Sequence, residues 1–363
     1  IIASSCHFYI YVYCMACFII ARVSNPEDHI CIVIMFALGV NSSTGVVKFV
    51  CIYINREKIK DIVDGYLACH SMIIPGSRIS EEMAITLRLV RKRAFIYFTV
   101  IMSNVSFYLV LNMSTSRQRL MDDCNILSGM YEIVYITPYY EIFFFFDSLA
   151  CLYVCYLQAT VTTFFFIMVG YTEAQVLALS KELSLLWHDA NNSIINETVG
   201  DRTATDVNDY ISKRLEDITK IHTMHLELTA MIELSLRLAT LMQYGIVVSA
   251  LIAVLLGGLE YTYFQLPFGI IIIGMDCFMG QKLTDSGKVF EKAVFECGWE
   301  YFDCSNRKYI LLMLLNAQKD LKLSAGSLKR LNYEFLMGVI RGVYSAYAAI
   351  RSREYEVIDF DKD

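Results

Sequence analysis

The sequence predicts an all-α membrane protein with seven transmembrane helices, an inside N-terminus, an outside C-terminus and a cytoplasmic helical anchor region. Composition supports the membrane class, because 56% of the 363 residues are apolar, only 19% are charged and the mean hydropathy is +0.46. Soluble domains usually carry about 25% charged residues. The apolar residues also form separate runs close to the length of about 20 residues that a helix needs to cross a bilayer.

Seven apolar segments are the predicted spans. The first is short, and we expect part of this helix to be missing ahead of Ile1. The last carries Glu334 and Arg341, and ionisable groups at bilayer depth are costly and normally face protein or water. Only residues 257–260 separate the fifth span from the sixth, which predicts an unusually tight outer hairpin. The spans are Phe8–Ala21, Cys31–Ile54, Ala94–Met113, Ile142–Val169, Ala239–Leu256, Tyr261–Met279 and Tyr333–Ile350.

Basic residues indicate the orientation of the spans. Residues 54–93 hold eight Lys and Arg, residues 170–225 hold five and residues 281–332 hold nine, 22 in all. The loops on the opposite side hold six. Because Lys and Arg are enriched in cytoplasmic loops, the side with 22 is predicted to be cytoplasmic.

The last quarter of the chain carries the most specific pattern. An apolar segment ends in Gly280-Gln281, an amphipathic segment and a short apolar helix, Tyr309–Gln318, follow, and a glycine turn precedes the last span. In this order the chain resembles the C-terminal region of insect odorant receptors. The residues that carry the resemblance are Cys277, Gly280, Gln281, Leu283, Ser286, Ala293, Phe295, Trp299, Arg307, Lys308, Leu311, Ala317, Gln318, Ala325, Gly326 and Ser345.

The resemblance implies an odorant receptor subunit that binds small volatile molecules and gates a cation channel together with a co-receptor subunit, as a heterotetramer. It also implies a multi-pass protein in the plasma membrane of olfactory sensory neurons. The segment Gly170–His225 is shorter than the loop typical of the co-receptor, which favours the ligand-tuning subunit. A net charge of −6 gives no footprint for nucleic acid.

A volatile ligand calls for an apolar, aromatic pocket with few polar groups. The family that the chain resembles builds this pocket in the outer halves of spans two, three, four and six. The ligand-binding candidates there are Phe36, Phe107, Tyr108, Leu111, Leu149, Tyr153, Tyr263 and Phe268.

The last span contains the pore candidates. Ser345, Ala349 and Arg353 are spaced four residues apart and therefore share one helix face. The resemblance implies that this face lines a central cation pore, although family members usually have a larger apolar residue at the position of Ala349. A helix–helix seam of small residues is the alternative explanation of the same stripe.

The apolar segment Tyr309–Asn316 is too short to span a bilayer, and in the family it packs as a cytoplasmic anchor between subunits. An amphipathic helix lying at the membrane interface is the alternative. The assembly candidates are Phe295, Trp299, Leu311 and Gln318. The chain is thus predicted to divide into a ligand-binding bundle of helices one to six (1–280), an anchor region (281–332), and a pore-lining helix with an outer tail (333–363).

Other classes fit the sequence less well. It contains no catalytic, metal-binding or phosphate-loop signature. We therefore expect that the protein is not an enzyme and uses no cofactor. A gustatory-type receptor channel should end its last helix in T-Y-x5-Q-F, and residues 344–351 lack this motif. A G-protein-coupled receptor would place the C-terminus inside, whereas the basic residues predict it outside. A transporter would show inverted repeats around charges at the bilayer midplane, and we find no such repeat in the sequence.

Overall fold

The structure, a computed structural model, describes residues 12–22, 29–114, 139–196, 204–258, 264–319, 321–326 and 329–360. This part of the chain is helical except for one antiparallel pair of short strands and the connections. A 3₁₀ turn, Trp299–Tyr301, precedes α9, and β1 (Ser324–Ala325) pairs with β2 (Lys329–Arg330) before α10. The helices are α1 (Cys14–Arg22), α2 (His29–Ile54), α3 (Arg56–Ser71), α4 (Arg78–Ser114), α5 (Tyr139–Ser184), α6 (Leu186–Asn196), α7 (Ala204–Leu256), α8 (Gln265–Phe295), α9 (Cys304–Ala317) and α10 (Tyr333–Phe360).

The predicted all-α membrane fold is confirmed. Spans two to six fall in α2, α4, α5, α7 and α8, which are long and apolar enough to cross a bilayer. The described part of the sixth span lies in α8, which starts at Gln265. Residues 259–263, which include part of the predicted outer hairpin and the predicted start of this span, lie outside the described chain. The segment predicted as the last span lies in α10, which continues ten residues beyond Ile350 to Phe360. Among the described helices, α10 is not one of the five that are long and apolar enough to cross a bilayer by length and composition.

Several helices are much longer than the bilayer requires. The helices α5 and α7 contain 46 and 53 residues, so at 1.5 Å per residue they are about 70 and 80 Å long. The hydrocarbon core of a bilayer is about 30 Å thick. Their apolar segments, 142–169 and 239–256, cross the membrane, and their charged remainders extend into water. We call this part the water-facing half: α3, α6, the segment from the 3₁₀ turn through α9, and the charged ends of α4, α5, α7 and α8.

The water-facing half contains the denser apolar core. Of the eleven largest side chains that are fully buried within the described chain, nine lie in this half, and only Met35 and Ile101 lie in the spans. Apolar burial is driven by release from water, whereas lipid tails give helices no such reason to associate. Spans therefore expose apolar side chains such as Phe95 and Phe107 outward, while the water-facing half is packed like a soluble domain.

A buried carboxylate joins the helices of the water-facing half. The side chain of Glu182 on α5 is 4% exposed and accepts hydrogen bonds from Arg78 of α4, at 2.9 Å, and from Arg214 of α7. Arg78 also pairs with Asp189 of α6. Because each charge is matched, the burial of Glu182 fixes the relative positions of four helices.

The connection that leads into α10 is held by α7. The β1 hydroxyl of Ser324 donates to the carboxylate of Glu233, and the backbone N–H of Gly326 donates to the carbonyl of Arg237 at 3.1 Å. Gly326 has φ of 63°, a left-handed conformation that favours glycine. This explains the glycine in the predicted turn.

On its other side, the connection into α10 packs against Gly280 of α8. A Cβ atom at Gly280 would lie 2.2 Å from the carbonyl oxygen of Leu331, so only glycine permits the backbone to approach so closely. The side chain of Asn332 next accepts the N–H of Phe335 at 2.8 Å and thereby caps the first turn of α10. The start of α10 is therefore fixed against both α7 and α8.

Two neutral histidines lie in the water-facing half of α7, well before its apolar segment. His222 stacks on Phe290, with ring centroids 4.1 Å apart, and His225 stacks on Tyr66 at 6.4 Å. Burial lowers the pKa of His222 to about 4. Burial, and secondarily the neighbouring His222, lowers the pKa of His225 to about 3.

Replacing Gly280 by alanine should displace the start of α10. We expect the overpacked contact with Leu331 to cost about 1–3 kcal/mol, seen as a lower melting temperature of the purified protein. Gly274→Ala, on the same helix, is the matched control because a Cβ there meets nothing within 4 Å. Equal melting temperatures for the two variants would contradict this account.

Acid should destabilise the water-facing half through its two buried histidines. Above a pH of about 6.5 these histidines are neutral in both the unfolded and the folded state, so the free energy of unfolding has its full value. As the pH falls from about 6.5 towards 4, the unfolded state binds protons that the folded state refuses, and stability is lost by on the order of 2 kcal/mol per histidine at pH 5.

Melting temperatures between pH 7.5 and 5 check this prediction. The variant His222→Leu/His225→Leu should lose much of the acid sensitivity. His188→Leu changes an exposed histidine, whose side chain is 72% exposed, and should keep it. An unchanged pH profile in the double variant would assign the sensitivity to other groups.

Candidate ligand-binding site

A cavity of about 60 Å³ lies among α2, α4, α5 and α8, at the end of the bundle opposite the water-facing half. Each helix presents residues one turn apart, which places them on one face. Most of the wall is apolar or aromatic, and Tyr108 packs edge-to-face on Phe264 with ring centroids 6.2 Å apart. The lining residues are Leu38, Asn41, Ser42, Asn104, Val105, Tyr108, Cys151, Val154, Cys155, Phe264, Gln265 and Phe268.

The ligand-binding candidates from the sequence fall into four groups. Tyr108 and Phe268 line the cavity, and Tyr153 is partly buried against the core outside the lining. The side chains of three others are exposed, by 39% at Phe36, 63% at Phe107 and 53% at Leu149, and lie outside the lining. Tyr263 and the side chain of Leu111 lie outside the described residues.

Sequence reasoning overlooked the polar lining residues. Asn41 and Ser42 stand in the polar middle of an otherwise apolar span, and Asn104 lies one turn before Tyr108. Gln265 stands at the first turn of α8. Polar side chains in apolar spans were the available signal, because such groups normally face protein or a cavity.

A second feature of the site is an ion pair buried beneath the cavity. The ammonium of Lys48 on α2 lies 3.0 and 3.1 Å from the two carboxylate oxygens of Asp276 on α8. Both side chains are almost completely buried, at 3% and 4% exposure. Gln243 of α7 donates to Asp276 at 3.1 Å, and Lys48 reaches the hydroxyl of Thr162 on α5 at 3.4 Å. Four helices therefore meet at one charged cluster.

This charged cluster lies between the cavity and the start of α10. Along α2, Lys48 is seven residues from the lining residue Asn41; along α8, Asp276 is eight residues from Phe268, or about 12 Å. On its other side, Lys48 and Asp276 border a smaller space of about 20 Å³ that Leu331 also lines. The charged cluster therefore lies about two helical turns from the cavity on one side and borders the connection to α10 on the other.

The comparisons with known proteins agree with this architecture. A sequence model of the seven-transmembrane odorant receptor family matches residues 31–344. This chain belongs to the odorant receptor family. Among curated proteins, a sequence comparison finds no match to this receptor.

Solved structures of an insect olfactory receptor have a similar fold. The structure of OR5 from Machilis hrabei matches with a TM-score of 0.75 and 11% identity, covering 96% of this receptor and 87% of that chain. Its complex with eugenol matches with a TM-score of 0.71 and 12% identity, covering 97% and 88%. At such low identity the likeness shows a shared fold and leaves the ligand of this receptor open.

The pore and assembly candidates lie on uncovered surfaces of the single receptor chain. On α10, Val343 faces the bundle, whereas Ser345 and Ala349 are exposed, and the side chain of Arg353 lies outside the described residues. Near α9, Leu311 is 58% exposed, Phe295 63% and Trp299 37%, and Gln318 is also exposed.

Removing either charge of the buried pair should destabilise the receptor. Lys48→Met or Asp276→Leu leaves the other charge buried without its partner, a loss of about 3–5 kcal/mol. The double variant removes both charges and should recover most of the melting temperature. The exposed pair Arg56–Glu57 has side chains 65% and 76% exposed, so Arg56→Met should have little effect.

Melting of the purified receptor variants checks this prediction. A double variant no more stable than the two single variants would show that the site needs the charges themselves, not merely their balance.

Proposed function

We propose that this receptor is an odorant-tuning subunit that binds a small volatile compound and gates a cation channel together with a co-receptor subunit. The observation that carries the proposal is the apolar cavity among α2, α4, α5 and α8, because a small concave site with an apolar wall and a few polar groups suits a compact volatile molecule. The likeness to an olfactory receptor solved in complex with eugenol supports a ligand of this kind. Tyr108 and Phe268 are the proposed aromatic contacts.

The uncovered face of α10 supports a shared pore. Glu334 and Arg341 are exposed on the single chain, although polar and ionisable groups within a membrane normally face protein or water. Placing this face towards a central pore, between four subunits, would hydrate these groups. In that arrangement Ser345, Ala349 and Arg353 line the pore; a helix–helix seam would bury the same stripe instead.

The surface of α9 supports assembly through the water-facing half. Ile310, Met313 and Ala317 cover one face of this helix and are buried, whereas Leu311, Leu312 and Leu315 are each more than half exposed. A contiguous apolar patch in water is typical of a protein interface. We assign this patch, with Phe295, Trp299 and Gln318, to contacts with neighbouring subunits, including the co-receptor.

Loop charge supports the orientation, with the water-facing half in the cytoplasm and the C-terminus outside. In that orientation the cavity lies in the outer half of the bundle, in the plasma membrane of an olfactory sensory neuron. We propose that residues 1–280 bind the ligand, residues 281–332 mediate assembly and residues 333–363 form the pore. The first boundary is functional only, since α8 runs unbroken from Gln265 to Phe295.

Expression with and without a co-receptor tests the proposal. Cells that carry the full chain with a C-terminal tag should stain without permeabilisation, and a panel of volatiles should evoke cation current only when the co-receptor is present. A tag that stains only after permeabilisation would contradict the proposed orientation, and volatile-evoked current without the co-receptor would contradict the proposed partnership.

Two phenylalanines in different surroundings, one in the cavity wall and one on the exposed surface, test where the volatile binds. Phe268→Leu removes ring contacts from the cavity wall and should raise the half-maximal concentration of an active volatile about tenfold, the equivalent of 1.4 kcal/mol. Phe107→Leu changes an exposed side chain and should leave it within about twofold. Equal shifts in the two current–concentration curves would argue against binding in this cavity.

A further inference from the structure

Three carboxamide side chains interrupt the apolar wall of the cavity. Asn41 comes from α2, Asn104 from α4 and Gln265 from α8. Asn41 and Gln265 are more than nine-tenths buried, at 5% and 9% exposure. Amides in an apolar wall are costly to bury unless they are hydrogen-bonded, so their presence requires an explanation.

Two of these amides have unmet hydrogen-bonding capacity. Within the described chain, the side-chain oxygens of Asn41 and Gln265 are sealed from solvent and have no hydrogen-bond partner. By contrast, the neighbouring hydroxyl of Ser42 donates to the carbonyl of Gly39 at 2.7 Å. The amide of Asn104 reaches the carbonyl of Phe264 at 3.5 Å. The polar groups next to Asn41 and Gln265 thus have protein partners of their own.

Structural amides elsewhere in the bundle are used differently. Gln158 donates its side-chain N–H to Thr162 at 3.2 Å, and Gln243 donates to Asp276 at 3.1 Å. Gln243 joins α7 to α8, whereas Gln158 bonds within α5 to the Thr162 that Lys48 contacts. The side-chain oxygens of Gln158 and Gln243 also lack a hydrogen-bond partner in the described chain, so Asn41 and Gln265 are distinguished by their position in the cavity wall. Asn41 and Gln265 instead border the cavity itself, where a ligand can meet them.

We propose that the cavity selects compact apolar molecules that carry a hydroxyl group, bound by the carboxamides of Asn41 and Gln265; this rests on the proposed function of the cavity. A hydroxyl is both a donor and an acceptor, as is a carboxamide. An ether or a ketone only accepts, so it leaves an amide oxygen unmet, and a hydrocarbon leaves the whole amide unmet. A site that hydrogen-bonds a ligand hydroxyl rejects analogues that lack it for this reason.

Matched compounds of similar size test the choice of chemistry. Phenol, anisole and toluene form an aromatic series, and cyclohexanol, cyclohexanone and methylcyclohexane form an aliphatic one. Binding is measured as the concentration-dependent rise in melting temperature of the purified full chain, which requires neither channel opening nor a co-receptor. We expect phenol and cyclohexanol to bind at least about tenfold more tightly than the other members of their series.

Shape-preserving substitutions locate the selectivity. Asn41→Leu/Gln265→Met should bring the hydroxyl compounds within about threefold of toluene and methylcyclohexane, because the apolar contacts remain. Asn55→Leu is the control, since this amide bonds to the carbonyl of Cys51 at 2.9 Å beyond the last turn of α2, and it should keep the preference. If the double variant does not fold, the preference for hydroxyl compounds is measured in the single variants Asn41→Leu and Gln265→Met instead.

The outcomes separate this inference from the proposed function. Equal binding of all members of a series, or a preference that survives in a folded Asn41→Leu/Gln265→Met variant, would overturn hydroxyl selection and leave the ligand cavity standing. Ketone binding equal to that of the alcohol would overturn the requirement for a donor. No binding of any compound would contradict the cavity as a ligand site, and hydroxyl selection with it.

Discussion

The interior of the spans depends on one ion pair. Lys48 and Asp276 are withdrawn from water, and each is tolerated only because the other neutralises it and because Thr162 and Gln243 take up further hydrogen bonds. An apolar contact can slide along a helix by one turn at little cost. A buried charge with a single matching partner cannot, so the pair fixes the relative heights of α2 and α8, and their hydrogen-bond partners bring α5 and α7 to the same level.

Two solvents determine how the rest of the molecule holds together. In the water-facing half, apolar side chains such as Phe290 and Leu183 are completely buried, since water drives them together. In the spans, apolar side chains face lipid and cohesion relies on close packing and polar pairs. The continuous helices α5, α7 and α8 belong to both regions. A shift in one region is therefore carried mechanically into the other by rigid helices rather than by a flexible linker.

The sequence was enough to predict which segments form helices. It was not enough to predict which face of each helix turns towards the protein and which towards lipid. Hydropathy located the spans because length and apolar content are local properties. It could not distinguish Phe107, which is exposed, from its neighbour Tyr108, which lines the cavity. In a soluble helix the polar face reveals the rotation, but in a membrane both lipid and protein accept aromatic side chains.

Isolated polar residues would have carried more information than the aromatic ones. Lys48 and Asp276 are lone charges in apolar segments, and a pairing between them could have been proposed from the sequence, although not its geometry. Gly280 was recognised as part of a family pattern. The reason for it, contact with the backbone of Leu331, depends on two segments that are fifty residues apart and becomes evident only in three dimensions.

The separation between the cavity and the densest core has a consequence for how such receptors diversify. None of the lining residues is among the largest fully buried side chains of the described chain. Apart from core members such as Val105, Cys155 and Phe268, an exchange in the cavity wall therefore removes little of the packing on which folding depends. Ligand preference can therefore drift over generations while the scaffold persists. A fold shared with the olfactory receptor OR5 at only 11% identity is the outcome expected of that arrangement.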